Sequence, residues 1–254
     1  MFDFLKKKKS PIPLFEALGT DMHCHLIPGV DDGSTSIDET LSCLRIMQQA
    51  GYHKLYLSPH FNPPRYANDE DDIKSRFEEL KAAVVADPEL NIELLGIGGE
   101  YRIDGQFLDR MNQKPLLTVG GHNPEGNKES YLLVELSLHQ QMFGIDEIIF
   151  EAQSKGYEVI LAHPERYPYL AGNSKLLSQL KDQGVLFQVN VLSMSGFYGQ
   201  PAFEKSMDLI RRGWVELLGT DMHNTIYANA LLEATLNRNI QKVLEKYTFL
   251  NSKI

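Results

Sequence analysis

Two stretches of this chain, about two hundred residues apart, repeat one another: Gly19–His25 reads GTDMHCH and Gly219–His223 reads GTDMH. Each closes a short apolar run with an acid and a histidine. Between them lie His60, Glu100, Glu135 and His163, each set at the end of an apolar run of its own. Such a pattern constrains the fold, because it pays only if the strand ends converge. Converging His, Asp and Glu are the raw material of a metal cluster. The expectation is a metal-dependent hydrolase.

The rest of the chain supplies the strands and helices that such convergence needs. Ser36 and Glu39 form a capping-box pattern ahead of Ile37, Leu41, Leu44 and Met47, which predicts a helix stopped by Gly51. Strands are expected at 19–23, 54–58, 91–97, 131–136, 158–162, 185–191 and 214–218. Helices are expected at 69–86, 145–155, 174–183 with Asn173 as cap, 202–212, and from about 227. Residues 102–128 read as a hairpin or loop. Strand–helix alternation with near-continuous apolar strands means an α/β protein with a helix-covered parallel sheet. In such folds ligands bind beyond the carboxyl ends of the strands, where every candidate residue falls.

Length and charge set bounds. A chain of 254 residues fits one α/β barrel domain, which commonly runs to roughly 200–250 residues. Residues 1–18 read as a leader segment and 19–254 as the domain. The net charge of −9 argues against a nucleic-acid-binding surface, which needs clustered Lys and Arg. The basic run Lys6–Lys9 reads as a solvated tail, with membrane-surface attraction the minor reading. No apolar run is long enough for a transmembrane segment, and no signal peptide is evident. The two cysteines, Cys24 and Cys43, make no disulfide framework, so a reducing, cytoplasmic location is expected.

His23 and His25 are two residues apart, so on extended chain both imidazoles point one way and Cys24 the other. Asp221 and His223 repeat that spacing at the last strand. Any one histidine is more often a core or helix-end residue than a ligand; the set is not. Mixed imidazole and carboxylate donors suit Mn, Fe or Zn, and the sequence does not choose among them. Multi-metal sites activate water and clamp phosphoryl oxygens, which makes phosphate-ester hydrolysis the first expectation. Arg102 and Arg166, placed shortly after Glu100 and His163, would give bidentate donors to phosphate. Read blandly, they are surface ion pairs. Arg65, Tyr66 and Tyr198 sit in loops on the same side.

Other chemistries fail on their motifs. A cysteine-dependent phosphatase needs Cys-x5-Arg, but Val30 and Gln49 stand six residues past Cys24 and Cys43. There is no P-loop and no nucleophile elbow.

Taken together, His23-x-His25, Asp32-Gly33, Pro59-His60, Glu100-x-Arg102, Glu135, His163-Pro164-Glu165-Arg166 and Asp221-Met222-His223 resemble the polymerase and histidinol phosphatase (PHP) superfamily. Within it the chain resembles the CpsB/CapC/YwqE-type bacterial protein-tyrosine phosphatases. The resemblance implies a single-domain, distorted (β/α)7 PHP-type barrel and a three-metal cluster, usually manganese. It implies one ion at His23, His25, Glu100 and Asp221, a second at Glu100, Glu135 and His163, and a third at Asp32, His60 and His223. Asp32 is preferred to Asp31 by its spacing from His25. The implied reaction is attack of a metal-activated hydroxide on phosphotyrosine, with Arg166 and Arg102 holding the phosphate. The implied partner is the tyrosine-rich tail of a bacterial tyrosine kinase controlling capsule or exopolysaccharide production; a homo-oligomer is left open. One position departs: relatives of this type often carry arginine five residues past the last ligand histidine, where this chain has Ala228. The alternatives are a small-molecule phosphomonoesterase of the histidinol-phosphatase kind and a metal-binding regulatory module with little turnover.

Overall fold

The computed structural model describes residues 12–120, 130–170 and 174–254. Among these residues nine strands, all paired in parallel, fall into two sheets: β1 (Thr20–Asp21), β2 (Lys54–Leu57) and β4 (Glu93–Ile97) in one, and β3 (His60–Phe61), β5 (Glu100–Arg102), β6 (Tyr131–Glu135), β7 (Glu158–Ala162), β8 (Leu186–Asn190) and β9 (Leu217–Gly219) in the other. Seven apolar runs become nine strands because two of them break. Pro59, which has no N–H to give a ladder, separates β2 from β3. Gly98 and Gly99 separate β4 from β5, and both are packed too tightly for a side chain. A Cβ on Gly98 would sit 2.7 Å from Val119 Cγ2, and one on Gly99 would sit 2.4 Å from the Tyr101 ring.

The sheets meet along two lines. On one side β2 runs on into β3 and β4 into β5. On the other, the chain after β1 meets the chain after β9 through the parallel bridge Cys24–Met222, with His25 N donating to Met222 O at 2.7 Å and Asp221 N to His23 O at 2.8 Å. The ladders therefore establish an α/β fold of parallel sheets, while the single closed ladder of a seven-stranded barrel is not drawn by them. Asn251 ties the first and last strands together. Its amide donates to Thr20 O at 3.0 Å and to Leu218 O at 2.7 Å, and its carbonyl accepts from Leu218 N at 2.9 Å.

Both faces of the strands are buried, as parallel sheets require. Leu133, Ile160, Ala162, Leu217 and Met22 make a small cluster with Val119, whereas their strand neighbours Leu132, Val134, Val159, Leu161 and Leu218 join the larger core. The period of two places Glu135 on the face of Leu133. Around the sheets lie α1 (Ile37–Ala50), α2 (Glu70–Ala86), α3 (Phe107–Gln113), α4 (Ile145–Ser154), α5 (Ser174–Asp182), α6 (Gln200–Arg211), α7 (Thr225–Ala234) and α8 (Arg238–Lys246). The Ser36 side chain accepts from Glu39 N, and Gly51 ends α1 at φ 109°, as the capping box and stop predicted. The irregular stretch after residue 102 contains a helix, α3, whose Phe107 and Met111 are buried one turn apart.

Phe15 stacks on Tyr52 at 5.3 Å, so residues 12–18 pack against the body. The Lys6–Lys9 run and the Asn173 cap lie outside the described residues. Among the described residues no helix is long and apolar enough to cross a membrane.

Candidate metal centre

The predicted ligands sit at or beyond strand ends, in the loops that follow, or at the start of a short strand that continues an earlier one. His23 and His25 follow β1, Asp32 lies in the loop before α1, and His60 and Glu100 open the short extensions of β2 and β4. Glu135 ends β6, His163 follows β7, and Asp221 and His223 follow β9. Two of these turns are strained. His163 at φ 35° and Asp221 at φ 52° are the non-glycine residues with left-handed backbone among those described. A strand that carried straight on would point these side chains elsewhere.

The side chains converge. His23 Nε2 and His25 Nε2 are 3.2 Å apart. Glu100 reaches four imidazoles: Oε1 is 3.4 Å from His23 and 3.0 Å from His163, and Oε2 is 3.3 Å from His25 and 2.9 Å from His60. Asp221 Oδ1 lies 3.5 Å from His23 and 3.4 Å from His25. Asp32 Oδ1 lies 3.4 Å from His60 and 3.7 Å from His223. Glu135 Oε1 is set against His60 Nδ1 at 3.7 Å rather than against His163. Ligand atoms close enough to share an ion occur in three groups, His23–His25–Glu100, His60–Glu100–Glu135 and His25–His60–His223.

Further residues hold these ligands in place. Asp31 accepts from His25 Nδ1 at 2.9 Å and from His60 N at 3.0 Å, which leaves His25 Nε2 to face the centre. The two adjacent aspartates thus divide, Asp31 behind His25 and Asp32 at the cavity. Gln188 Oε1 meets His23 Nδ1 at 2.7 Å, and its amide donates to Asn190 Oδ1 at 2.9 Å. Asn190 Nδ2 in turn donates to Asp221 Oδ2 at 2.7 Å. Glu165 supports that loop by accepting from Asn190 N and from the Ser193 hydroxyl. Asp21 accepts from the Thr220 hydroxyl at 2.6 Å, pinning the first GTD to the second. The signal for Gln188 and Asn190 was their strand parity alone.

The electrostatics are those of a crowded buried cluster. Burial drives Glu135 up to about 7, with Glu100 adding to the rise. Burial also opposes ionisation of Glu100 and Asp221, yet His23 and the other imidazoles around them hold both well below the usual carboxylate range. Burial and His25 pull His60 down, but Glu100 and Asp32 outweigh them and lift it to about 10. His163, desolvated beside Arg166, is lowered. Several polar atoms here are buried without an aligned hydrogen bond: His60 Nδ1, Glu100 Oε2, Glu135 Oε1 and His163 Nδ1. Oxygen and imidazole donors packed this closely, some without a directed partner, fit divalent cations.

A cavity of about 570 Å³ opens over the cluster, lined by residues that include Asp32, His60, His163, Arg65, Arg102, Arg166, Tyr66 and Tyr227. Arg166 Nη1 donates to Asp221 Oδ2 at 2.7 Å, and its guanidinium lies 4.5 Å above the Tyr198 ring. Arg102 stands 3.8 Å from Glu135, and Arg65 is exposed beside Asp32. Tyr66 stacks on His60 at 5.4 Å. Cys24 and Cys43 are buried in the core, away from the cavity lining. Ala228 is buried in α7 and does not line the cavity.

The family model described as capsular polysaccharide synthesis, CpsB/CapC, matches residues 19–249. A putative tyrosine-protein phosphatase, CapC of Staphylococcus aureus, is 30% identical over 221 residues, covering 85% of this chain and 82% of its own. The tyrosine-protein phosphatase YwqE of Bacillus subtilis (strain 168) is 25% identical over 204 residues, covering 80% and 77%. One of the crystal structures of YwqE from Bacillus subtilis and CpsB from Streptococcus pneumoniae, described as unique metal-dependent tyrosine phosphatases, superposes with a TM-score of 0.74. It is 24% identical, with 92% of this chain and 94% of that one covered.

Proposed function

The chain belongs to the CpsB/CapC family of capsular polysaccharide synthesis, and from this we infer that it is a metal-dependent protein-tyrosine phosphatase. The observation that carries the reading is the convergence of His23, His25, Asp32, His60, Glu100, Glu135, His163, Asp221 and His223 beneath a cavity that also holds Arg166. Those side chains would hold the cations, with Glu100, which faces four imidazoles, as the shared carboxylate. Divalent cations there supply a water acidic enough to attack at neutral pH and neutralise charge on the phosphoryl oxygens. We assign manganese as the working metal, in a three-ion cluster, with Fe or Zn as substitutes.

The chain's own residues supply binding and alignment. Arg166 donates to Asp221 from one nitrogen, which leaves further N–H groups of its fork for phosphate oxygens. Arg102 approaches from the Glu135 side and would share that load. Ala228 cannot, so phosphate binding would lean on these two, with Arg65 the other arginine of the cavity lining. Tyrosinate is a good enough leaving group that no dedicated acid is assigned. The substrate would be the phosphotyrosine tail of a bacterial tyrosine kinase of capsule or exopolysaccharide production, met in the cytoplasm.

The test is turnover of phosphotyrosine peptides and p-nitrophenyl phosphate by the manganese-loaded chain, with histidinol phosphate as competitor. Peptide hydrolysis that His163→Ala abolishes and chelator suppresses is expected. Turnover no greater than the metal blank, or preference for histidinol phosphate, overturns the reading.

A further inference from the structure

We propose that Tyr198 is a positioning residue for phosphate binding: its ring is the platform that holds the Arg166 guanidinium at the cavity. The proposal rests on the phosphatase reading and adds to it the residue on which anion capture depends.

Arg166 needs support. It ends the short turn Pro164–Arg166, which follows the strained His163, and its one ion-pair partner among the described residues is Asp221. That carboxylate is shared. Its Oδ2 also takes the Asn190 amide at 2.7 Å, while its Oδ1 faces His23 and His25. One hydrogen bond to a shared oxygen leaves a long side chain free to swing about that bond. The Tyr198 ring, 4.5 Å from the guanidinium carbon, closes one face of the fork and attracts the cation through its quadrupole. A guanidinium over a ring keeps N–H groups at its edge for two phosphate oxygens, a paired geometry that a lysine could not offer.

Tyr198 is itself built in. It lies in the β8–α6 connection between Gly196 at φ 86° and Gly199 at φ 90°, positive backbone angles that glycine supplies. Phe197 meets its ring edge-on at 5.1 Å, and Tyr227 lies 6.3 Å away. Its hydroxyl is buried with no hydrogen-bond partner among the described residues. The ring and not the hydroxyl therefore holds the place, and phenylalanine should serve as well.

The experiment compares Tyr198→Leu and Tyr198→Phe with the unaltered, manganese-loaded chain. It reads KM and kcat for a phosphotyrosine peptide, the inhibition constant of inorganic phosphate, and metal content. Tyr198→Leu should raise both KM and the phosphate constant by roughly ten-fold, the size of a partly desolvated cation–π contact, with kcat within about three-fold and metal content unchanged. Tyr198→Phe should stay within about two-fold of the parent, and Tyr198→Leu should add nothing in an Arg166→Ala background. Should the leucine variant not fold, Tyr198→Met carries the same comparison. Unchanged phosphate binding in Tyr198→Leu overturns the proposal, and so does an equal loss in Tyr198→Phe, which would make the hydroxyl the contact. A parent chain that binds phosphate but does not hydrolyse phosphotyrosine would defeat the phosphatase reading and leave the platform testable by phosphate binding alone.

Discussion

Replacing Asp31 by Asn tests whether the residues behind the cluster set its affinity for metal. The carboxylate accepts three hydrogen bonds, from His25 Nδ1 at 2.9 Å, His60 N at 3.0 Å and Gly33 N at 3.0 Å. Burial works against its charge, but His25 and His60 overcome that and hold its pKa below the usual carboxylate range. An asparagine can keep its oxygen toward His25 and His60, and then presents N–H groups to the Gly33 N–H. Two costs separate. The bond to His25 falls from charge-assisted to neutral, a difference of about 1–1.5 kcal/mol, which is felt by the ligand and so by the metal. The unpaired Gly33 N–H costs about 1–2 kcal/mol of folding stability whether or not metal is bound. Titration of activity in chelator-buffered Mn should therefore show half-saturation moved about ten-fold, within the usual range for such outer residues, with kcat at saturating metal nearly unchanged. Thermal unfolding of the chelated variant should fall by several degrees. An Mn midpoint equal to the parent's, with the stability loss present, would refute the argument that Asp31 acts on the metal through His25.

Further outcomes follow from the same geometry. His60 is protonated at neutral pH in the metal-free chain because it is lifted to about 10, and an imidazolium cannot ligate; Mn affinity should rise with pH, and adding Mn at pH 7 in weak buffer should release protons, as a pH-stat would record. A Cβ at Gly33 would sit 1.9 Å from His25 O, so Gly33→Ala should lose about 1–3 kcal/mol in urea unfolding together with most Mn binding; wild-type values would contradict the packing. Burial raises Glu165 from 4.5 to about 7, so between those pH values the folded chain holds more protons than the unfolded one and this residue's contribution falls as pH rises. Glu165→Gln should remove up to about 3 kcal/mol of that fall in chelated protein, read by urea unfolding at pH 5 and 7.5, and an identical pH dependence in both proteins would refute the assignment.

What the sequence made legible was whatever a local pattern encodes. His23 and His25 two apart, the Ser36 cap and the Gly51 stop, and acids and histidines after apolar runs all rest on periods of two or on turn chemistry. What stayed hidden depends on partners far along the chain. Asp31 and Asp32 look alike until the loop shows which one backs His25. Gln188, Asn190 and Glu165 matter through contacts 25 to 165 residues away; strand parity and the His163–Arg166 motif mark the residues but not the partners they reach. The seven expected strands became nine because periodicity cannot see that Pro59 interrupts a ladder or that Val119 and Tyr101 press on Gly98 and Gly99. Helix α3 escaped because seven residues carry too little repeat to stand out from a loop.

Asn251 joins Thr20 to Leu218 just beneath the paired GTD segments, so the seam on which His23 and Asp221 depend is fastened by a side chain that follows every candidate ligand in the sequence. A chain cut short before Asn251 would keep all nine candidate ligands and lose the three hydrogen bonds that tie β1 to β9.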